Sequence, residues 1–429
     1  MTLTNSDVVR ILTSLGLLLA TAHLFGFLFS RIGQPRVIGE ILGGVILGPT
    51  VLGTLFPRIA NWPFPTTGPT AAVLGAVYQL GLLLLMFSAG TEIRSTFRPG
   101  ERKTVALVTL TGTLLPLTAG FLVQAAYEPT GLAGPSSHAA ALGLVFAIAI
   151  AVTSIPVISR IMHDLGILET AFARIVLSVA VLEDIALYVL LAIALALVPR
   201  SEADDFGLPA LLGLDPSSAL GIGYYVIATL GLFAVLLILG PYVLRLGVRS
   251  RLNVLKQASP IASQMLVLFG ITVLSMVLGV APVFGAFVAG IVAATSRGER
   301  AVRARRSIQD FSFAFFIPTY FALVGLRLDL IREFDVLFFL GFLAFASAVK
   351  SLSVYLGSRL AGERPSGARN LAVALNARGG PGIVLASVSL DAGIISAEFY
   401  STLVMLAIIT SLLAGWWLER AVERERPLR

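Results

Sequence analysis

Glu183 and Asp184 are adjacent in the run Ala171-Phe-Ala-Arg-Ile-Val-Leu-Ser-Val-Ala-Val-Leu-Glu183-Asp184-Ile-Ala-Leu-Tyr-Val-Leu-Leu-Ala-Ile-Ala-Leu, which is almost wholly apolar beyond Arg174. If the run is helical, the two carboxylates sit about ten residues, or roughly 15 Å, past that arginine, near the middle of a hydrocarbon layer. An ionised carboxylate there costs about 2.5–3.5 kcal/mol, so it demands a partner or an exchangeable occupant. Neighbours on a helix point about 100° apart, which lets one acid meet a basic side chain while the other faces a water-filled cavity. Lys350, well inside the apolar run 334–361, is the basic partner at similar depth. A buried ion pair that only holds helices together needs one acid. The second carboxylate leaves a negative charge that a cation or a proton must neutralise, and those two occupants compete for the same oxygens.

Two further segments place unusual backbone chemistry inside apolar runs: Thr153-Ser154-Ile155-Pro156 and Asn376-Ala377-Arg378-Gly379-Gly380-Pro381-Gly382. Proline removes a backbone donor and glycine weakens a helix, so both segments are expected to interrupt their helices and free carbonyls to line an ion site. Prolines also kink membrane helices with no functional role, and glycines also permit close packing; it is the pairing of two breaks that favours a site. Thr153 and Ser154 then offer further oxygens to a hard cation. Arg378, buried beside the second break, is suited to balancing the negative end of a half-helix. Glu40 and Glu92 lie within about a turn or two of an edge of their apolar runs, where they either attract cations to an entrance or stay solvated beside Arg36 and Arg94.

The elements that position these residues follow from composition. The 429 residues are 57% hydrophobic and 13% charged, too few charges to clothe a water-soluble globule. There is no cysteine, and His23, His138 and His163 are scattered. Disulfides and thiolate metal sites are excluded, a histidine metal cluster is disfavoured, and nothing calls for a cofactor. The net charge of +7 is carried between apolar runs, where it orients helices in a membrane rather than binding nucleic acid.

Runs of spanning length recur at approximately 7–29, 37–56, 70–91, 104–127, 137–162, 169–198, 219–244, 261–281, 282–296, 307–327, 334–361, 366–391 and 397–419, a count of thirteen. The first is longer than a signal-peptide core and is read as a retained helix. Only Ala281-Pro282 divides the eighth from the ninth. Of the 31 Lys and Arg residues, 24 follow odd-numbered spans, among them Arg94, Arg98, Arg251, Lys256, Arg297, Arg424, Arg426 and Arg429. Five, including Arg200, lie on the opposite side. By the positive-inside rule the amino terminus is outside and the carboxyl terminus cytoplasmic, in a plasma or bacterial inner membrane.

Pro35-Arg-Val-Ile-Gly39-Glu-Ile-Leu-Gly-Gly44 in span two resembles Pro282-Val-Phe-Gly285-Ala-Phe-Val-Ala-Gly290 in span nine. The copies are an odd number of helices apart and so run in opposite directions, as in transporters built from inverted repeats. The chain then divides into residues 1–200 (spans one to six), a linker helix in 201–257 and residues 258–429 (spans eight to thirteen), with broken spans five and twelve as partners. The fold expected is an all-α polytopic membrane protein of two inverted six-helix repeats.

Several segments together resemble the cation:proton antiporter-2 group of the sodium/hydrogen exchanger superfamily: Gly33-to-Gly53, Leu84-to-Glu92, Thr153-to-Asp184, Pro282-to-Gly290, Phe316-to-Leu326 and Asn376-to-Leu385. The resemblance implies crossed broken helices, a homodimer, a core domain of spans four to six and eleven to thirteen that moves against a scaffold of the rest, and exchange of Na+ or K+ for H+ by alternating access. Asp184 matches the family's cation-binding acid. Glu183 stands where sodium-selective electrogenic relatives carry Asp and many electroneutral relatives carry Asn, and Lys350 looks like the lysine of the first class, which favours two protons per cation. Relatives that gate potassium efflux often carry a nucleotide-binding domain after the membrane part; with Glu419–Arg429 following span thirteen, none is expected here. The rival readings are a potassium-selective channel-like protein, for which no selectivity-filter sequence is visible, and a sodium-coupled solute transporter. An intramembrane aspartyl protease needs two aspartates on facing helices, whereas Glu183 and Asp184 share one, so no enzyme is expected.

Overall fold

The computed structural model describes residues 3–92, 99–127, 131–198, 206–215, 218–249, 259–296 and 298–423. Arg94, Arg98, Arg200, Arg251, Lys256, Arg297, Arg424, Arg426 and Arg429 lie outside the described residues. A chain in lipid must satisfy its backbone groups internally, and the apolar runs do this as helices: α1 (Asn5–Arg31), α2 (Arg36–Leu47), α3 (Pro69–Glu92), α4 (Arg102–Tyr127), α5 (Ala139–Ala151), α6 (Ile155–Asp164), α7 (Ala171–Ala196) and α8 (Ala219–Arg249). They continue as α9 (Pro260–Val277), α10 (Pro282–Ala294), α11 (Glu299–Phe311), α12 (Ile317–Leu326), α13 (Val336–Ala361), α14 (Pro365–Ala374), α15 (Gly379–Asp391) and α16 (Ala397–Glu423). A single π-helical turn, Ser312–Phe316, joins α11 to α12.

Eleven of the described helices are long and apolar enough to cross a membrane, counting Glu299–Leu326 and Pro365–Asp391 as one each. The expected span five is formed by the shorter apolar helix α5 followed by α6, and span nine by the shorter apolar helix α10. In span five the Val152–Ser154 interruption leaves only α5 wholly apolar. Spans eight and nine separate one turn earlier than Ala281-Pro282 requires, because α9 stops at Val277 and Gly279 turns the chain with φ +76°. The tenth helix starts at Glu299 rather than near residue 307; its first turns expose Arg300, Arg303 and Arg306, so hydropathy alone starts it too late.

Packing sorts the helices into two sets. In one, α2 packs against α1 and α12, and α3 and α9 pack against α10; in the other, α4 packs against α5 and α13, α13 against α14, and α15 against α16, while α7 touches α8 and α10 across the divide. Pro365–Asp391 is the most enclosed span, whereas α8 turns most of its surface outward, with Leu220, Ile227 and Ile238 exposed. That outward apolar surface suits contact with lipid. Two loops bind the second set together at one end: the Gly134 amide donates to Ile394 O at 3.0 Å, Ser136 to Gly393 O at 2.9 Å and Ser396 to Leu132 O at 2.9 Å.

Close approach of α3 and α10 depends on glycine. A Cβ on Gly90 would lie 2.1 Å from the Phe287 carbonyl oxygen, and one on Gly290 would lie 2.2 Å from that of Phe87. Helices associating in lipid rely on such backbone contact because no hydrophobic driving force separates helix from lipid tail. Gly90→Val is expected to lower stability by about 1–3 kcal/mol through overpacking, measured as thermal unfolding in detergent. Gly270→Ala, where a Cβ meets nothing within 4 Å, is the control and should change it by less than about 0.5 kcal/mol.

Candidate functional site

The site is built where the two broken helices meet. After α5 the chain is extended from Val152 (ψ 141°) to Ser154 (φ −113°, ψ 109°), and α6 then starts with Pro156 in its first turn, where a missing N–H costs nothing. The second break runs through Leu375, Asn376, Ala377 and Arg378, and Gly379 opens α15 with φ +32°. The Ser154 amide donates to Ala377 O at 2.7 Å, so each interruption supplies the hydrogen bond that the other has lost. A Cβ on Gly379 would meet Val157 Cγ2 at 2.4 Å and Ser154 Oγ at 2.5 Å. Only glycine allows the two breaks to approach this closely in that conformation. Hydroxyls of α16 meet the second break: Arg378 N–H donates to Thr410 Oγ1 at 3.3 Å and Gly379 N–H to Ser411 Oγ at 3.2 Å.

Helix α7, capped by the Thr170 hydroxyl on the Ala173 amide at 3.2 Å, carries Glu183 and Asp184 into this junction, both buried. Glu183 is the acid that meets the lysine. Lys350 Nζ, fully buried, donates to Glu183 Oε1 at 2.8 Å, to Ala151 O at 2.6 Å and to Gly112 O at 2.9 Å. All three ammonium protons are thereby used. Gly112 was not singled out from the sequence, and no spacing signal marks it; a Cβ there would press on Glu183 Oε1 at 2.8 Å.

Thr153 Oγ1 lies 2.7 Å from Glu183 Oε2 and 2.6 Å from Leu375 O. A hydroxyl carries one proton, so it donates to only one of these acceptors at a time. Both contacts become hydrogen bonds when Glu183 is protonated and donates to Thr153 while Thr153 donates to Leu375. Ser154 is engaged as the cap of α6, accepting from the Val157 amide at 3.4 Å.

Arg378 is buried and donates to five oxygens: Ala149 O (3.0 Å), Ile150 O (3.2 Å), Ala346 O (2.9 Å), Asn376 O (3.1 Å) and Asn376 Oδ1 (2.8 Å). None belongs to a carboxylate. Its charge faces the carbonyl end of α5, as does that of Lys350 at Ala151, which is where a helix dipole favours cations.

Asp184 is placed differently. Its Oδ1 is buried with no hydrogen-bond partner among the described residues, and it lines a cavity of about 20 Å3 together with Ile155, Tyr188, Gly380, Pro381 and Glu92. That volume holds about one water-sized occupant. Tyr188 escaped the sequence reading, although its place one helical turn after Asp184 was a usable signal. Of the two outlying acids, Glu92 joins this cavity and Glu40 does not: Glu40 is buried on α2, against Gly26 of α1, rather than solvated.

Residues 17–424 match the family described as sodium/hydrogen exchanger, transmembrane. The chain belongs to the sodium/hydrogen exchanger family. Within it, the chain is 29% identical over 416 residues to the Na+/H+ antiporter NhaS4 of Synechocystis sp., covering 96% of this chain and 97% of that protein. It is 28% identical over 419 residues to K+/H+ antiporter 1 of Saccharomyces cerevisiae, covering 95% of this chain but 46% of that protein. Over 409 residues it is 24% identical to the Na+/H+-K+ antiporter GerN of Bacillus cereus, covering 93% of each. The sodium proton antiporter MjNhaP1 of Methanocaldococcus jannaschii superposes with a TM-score of 0.64 at 16% identity, covering 96% of this chain and 98% of that one. The fold is therefore that of a sodium/hydrogen exchanger.

For this exchanger-family chain, Arg378→Ala is expected to strand the carbonyls of Ala149 and Ile150 in the last turn of α5, each buried acceptor costing about 1–3 kcal/mol. Thermal unfolding in detergent should show a large loss of stability, with Arg378→Lys intermediate. An Ala variant as stable as the parent would show that the guanidinium does not hold the break.

Proposed function

We propose that this protein is a secondary antiporter that exchanges Na+ or K+ for H+ by alternating access, with cation and proton competing for Asp184. The observation that carries the reading is the contrast between neighbouring acids. Glu183 is committed to Lys350 and Thr153, while Asp184 keeps an oxygen without a hydrogen bond beside a one-occupant cavity. A buried carboxylate with no fixed counter-ion is stable only when protonated or bound to a cation. The relatives named as Na+/H+, K+/H+ and Na+/H+-K+ antiporters support the same reading.

In the cycle, Asp184 loses its proton to the cytoplasm and binds a partly dehydrated monovalent cation, with Glu92 at the mouth of the cavity drawing cations in. Neutralisation removes the penalty for carrying the site across the low-dielectric layer. On the outside protons displace the cation, and the neutral acid returns. An empty, charged Asp184 crosses poorly, and that penalty couples the fluxes. Glu183 is a second proton site: its protonated form satisfies both Thr153 contacts, and its release from Lys350 accounts for two protons per cation. The moving core comprises α4 to α7 and α13 to α16, and the remaining helices form the scaffold of a homodimer. Each set takes helices from both inverted repeats, with the amino terminus outside and the carboxyl terminus cytoplasmic in a plasma or bacterial inner membrane. There the exchange serves pH and cation homeostasis.

Proteoliposomes loaded with a proton-sensitive dye and offered Na+, K+ or Li+ separately give the test. Asp184→Asn should fold and lose cation-driven proton flux; normal flux in that variant sinks the assignment. Glu183→Gln should lose activity or alter the response to a clamped membrane potential, and an unaltered response would remove Glu183 from the proton count.

A further inference from the structure

Along α15, residues Gly380, Val384, Ser387 and Asp391 are spaced by four, three and four, so they lie on one face of the helix. The first two line the Asp184 cavity. The same face continues from the cavity toward the opposite end of the helix, where it carries Ser387 and Asp391. Ser387 is fully buried, its hydroxyl without a hydrogen bond that satisfies ordinary geometry, and it lies against the side chains of Tyr320 and Tyr400. Tyr188, which shares the cavity with Asp184, lies near Tyr320. The Tyr320 ring packs on Tyr78 with centroids 5.1 Å apart. A band of buried hydroxyls thus leads from Asp184 to the end of α15, between the two packing sets.

At that end the band is closed. Arg327 Nη1 donates to Asp391 Oδ1 at 2.5 Å, the Tyr78 hydroxyl donates to Asp391 Oδ2 at 2.9 Å, and the guanidinium carbon of Arg327 sits 4.4 Å from the Tyr78 ring centroid. Arg327 and Tyr78 belong to the α2, α3 and α12 set, and Asp391 to the set that contains both broken helices. The pair therefore joins the two bodies at one point, and its side chains keep 39% and 29% of their surface exposed. A cavity of about 690 Å3 lined by Tyr78, Arg327, Asp329 and Arg332 reaches the latch from the other side. Glu92, at the far end of α3, opens instead onto the Asp184 cavity.

We infer that the Tyr188, Tyr320, Ser387 and Tyr78 band is the outer half of the path to Asp184, shut in this state by a latch of Arg327, Asp391 and Tyr78. The assignment rests on the alternating-access reading above, with the orientation given there that puts the Asn5 end outside. Hydroxyls suit the purpose because they pass protons and offer oxygens to a hard cation. A partly exposed ion pair also suits a gate: strong enough to bias a two-state opening, weak enough to break in each cycle.

The absence of cysteine makes S387C a single reporter thiol. Labelling is followed with a charged, membrane-impermeant thiol reagent, added to intact cells or to inverted vesicles. From the Asn5 side, S387C should be protected, and S387C with D391N should label about tenfold faster, as a shifted open population requires. R327Q should act like D391N, which keeps the test open if one variant folds poorly. The exchanged pair R327D with D391R should restore slow labelling. Equal rates with and without the latch, or fast labelling with the latch intact, overturn the proposal. Labelling needs no ion gradient, so a chain that failed to exchange cations would still answer this question, while the Asp184→Asn flux assay judges exchange.

Discussion

Charge that has been taken out of water must be matched group by group, and the centre of this molecule is arranged around that constraint. Lys350 spends its three protons on Glu183 and two carbonyls, and Arg378 spends its donors on four backbone carbonyls and one side-chain amide oxygen. Removing one partner of a buried pair typically costs about 3–5 kcal/mol, so these groups hold one another in place. Asp184 stands outside the arrangement. Its neighbours in the cavity include Ile155, Tyr188, Gly380, Pro381 and Glu92 and no basic side chain.

The broken helices solve a second problem with the same groups. An interruption in a buried helix exposes carbonyls at one half-helix end and amides at the next. Here the exposed carbonyls of α5 receive the two buried cations, the amide of Ser154 receives Ala377 O, and α16 hydroxyls accept from the amides of Arg378 and Gly379. Backbone that would be intolerable against lipid is thus affordable inside protein. Thr153 belongs to this junction twice, touching Glu183 and Leu375 at once.

The division of the helices into two packing sets bears directly on transport. The broken helices and α7 lie within one set or at its edge, and glycine-mediated contacts pack α3 closely against α10 in the other. A site carried by one body and flanked by another can be opened toward either face by sliding, provided the contacts between the bodies are few and polar at the points that must part. The MjNhaP1 superposition shows that this arrangement is a recurring fold.

The sequence alone placed Glu183, Asp184 and Lys350 within apolar runs and marked the two interruptions and the order of those runs, because hydropathy, charge placement and helix-breaking residues are local properties written residue by residue. It did not fix where α5 and α10 end, because only the folded bundle sets the limits of a helix. It left open which acid meets Lys350: adjacent residues differ by about 100° in direction, and the rotation of α7 about its axis is fixed by its neighbours. Tertiary structure decided that choice. It also made Thr153 and Ser154 junction residues, brought Gly112 against the ion pair, aimed Arg378 at the carbonyls of Ala149 and Ile150, and separated Glu92 from Glu40. Each depends on a distance between helices far apart in the chain, which no local pattern encodes.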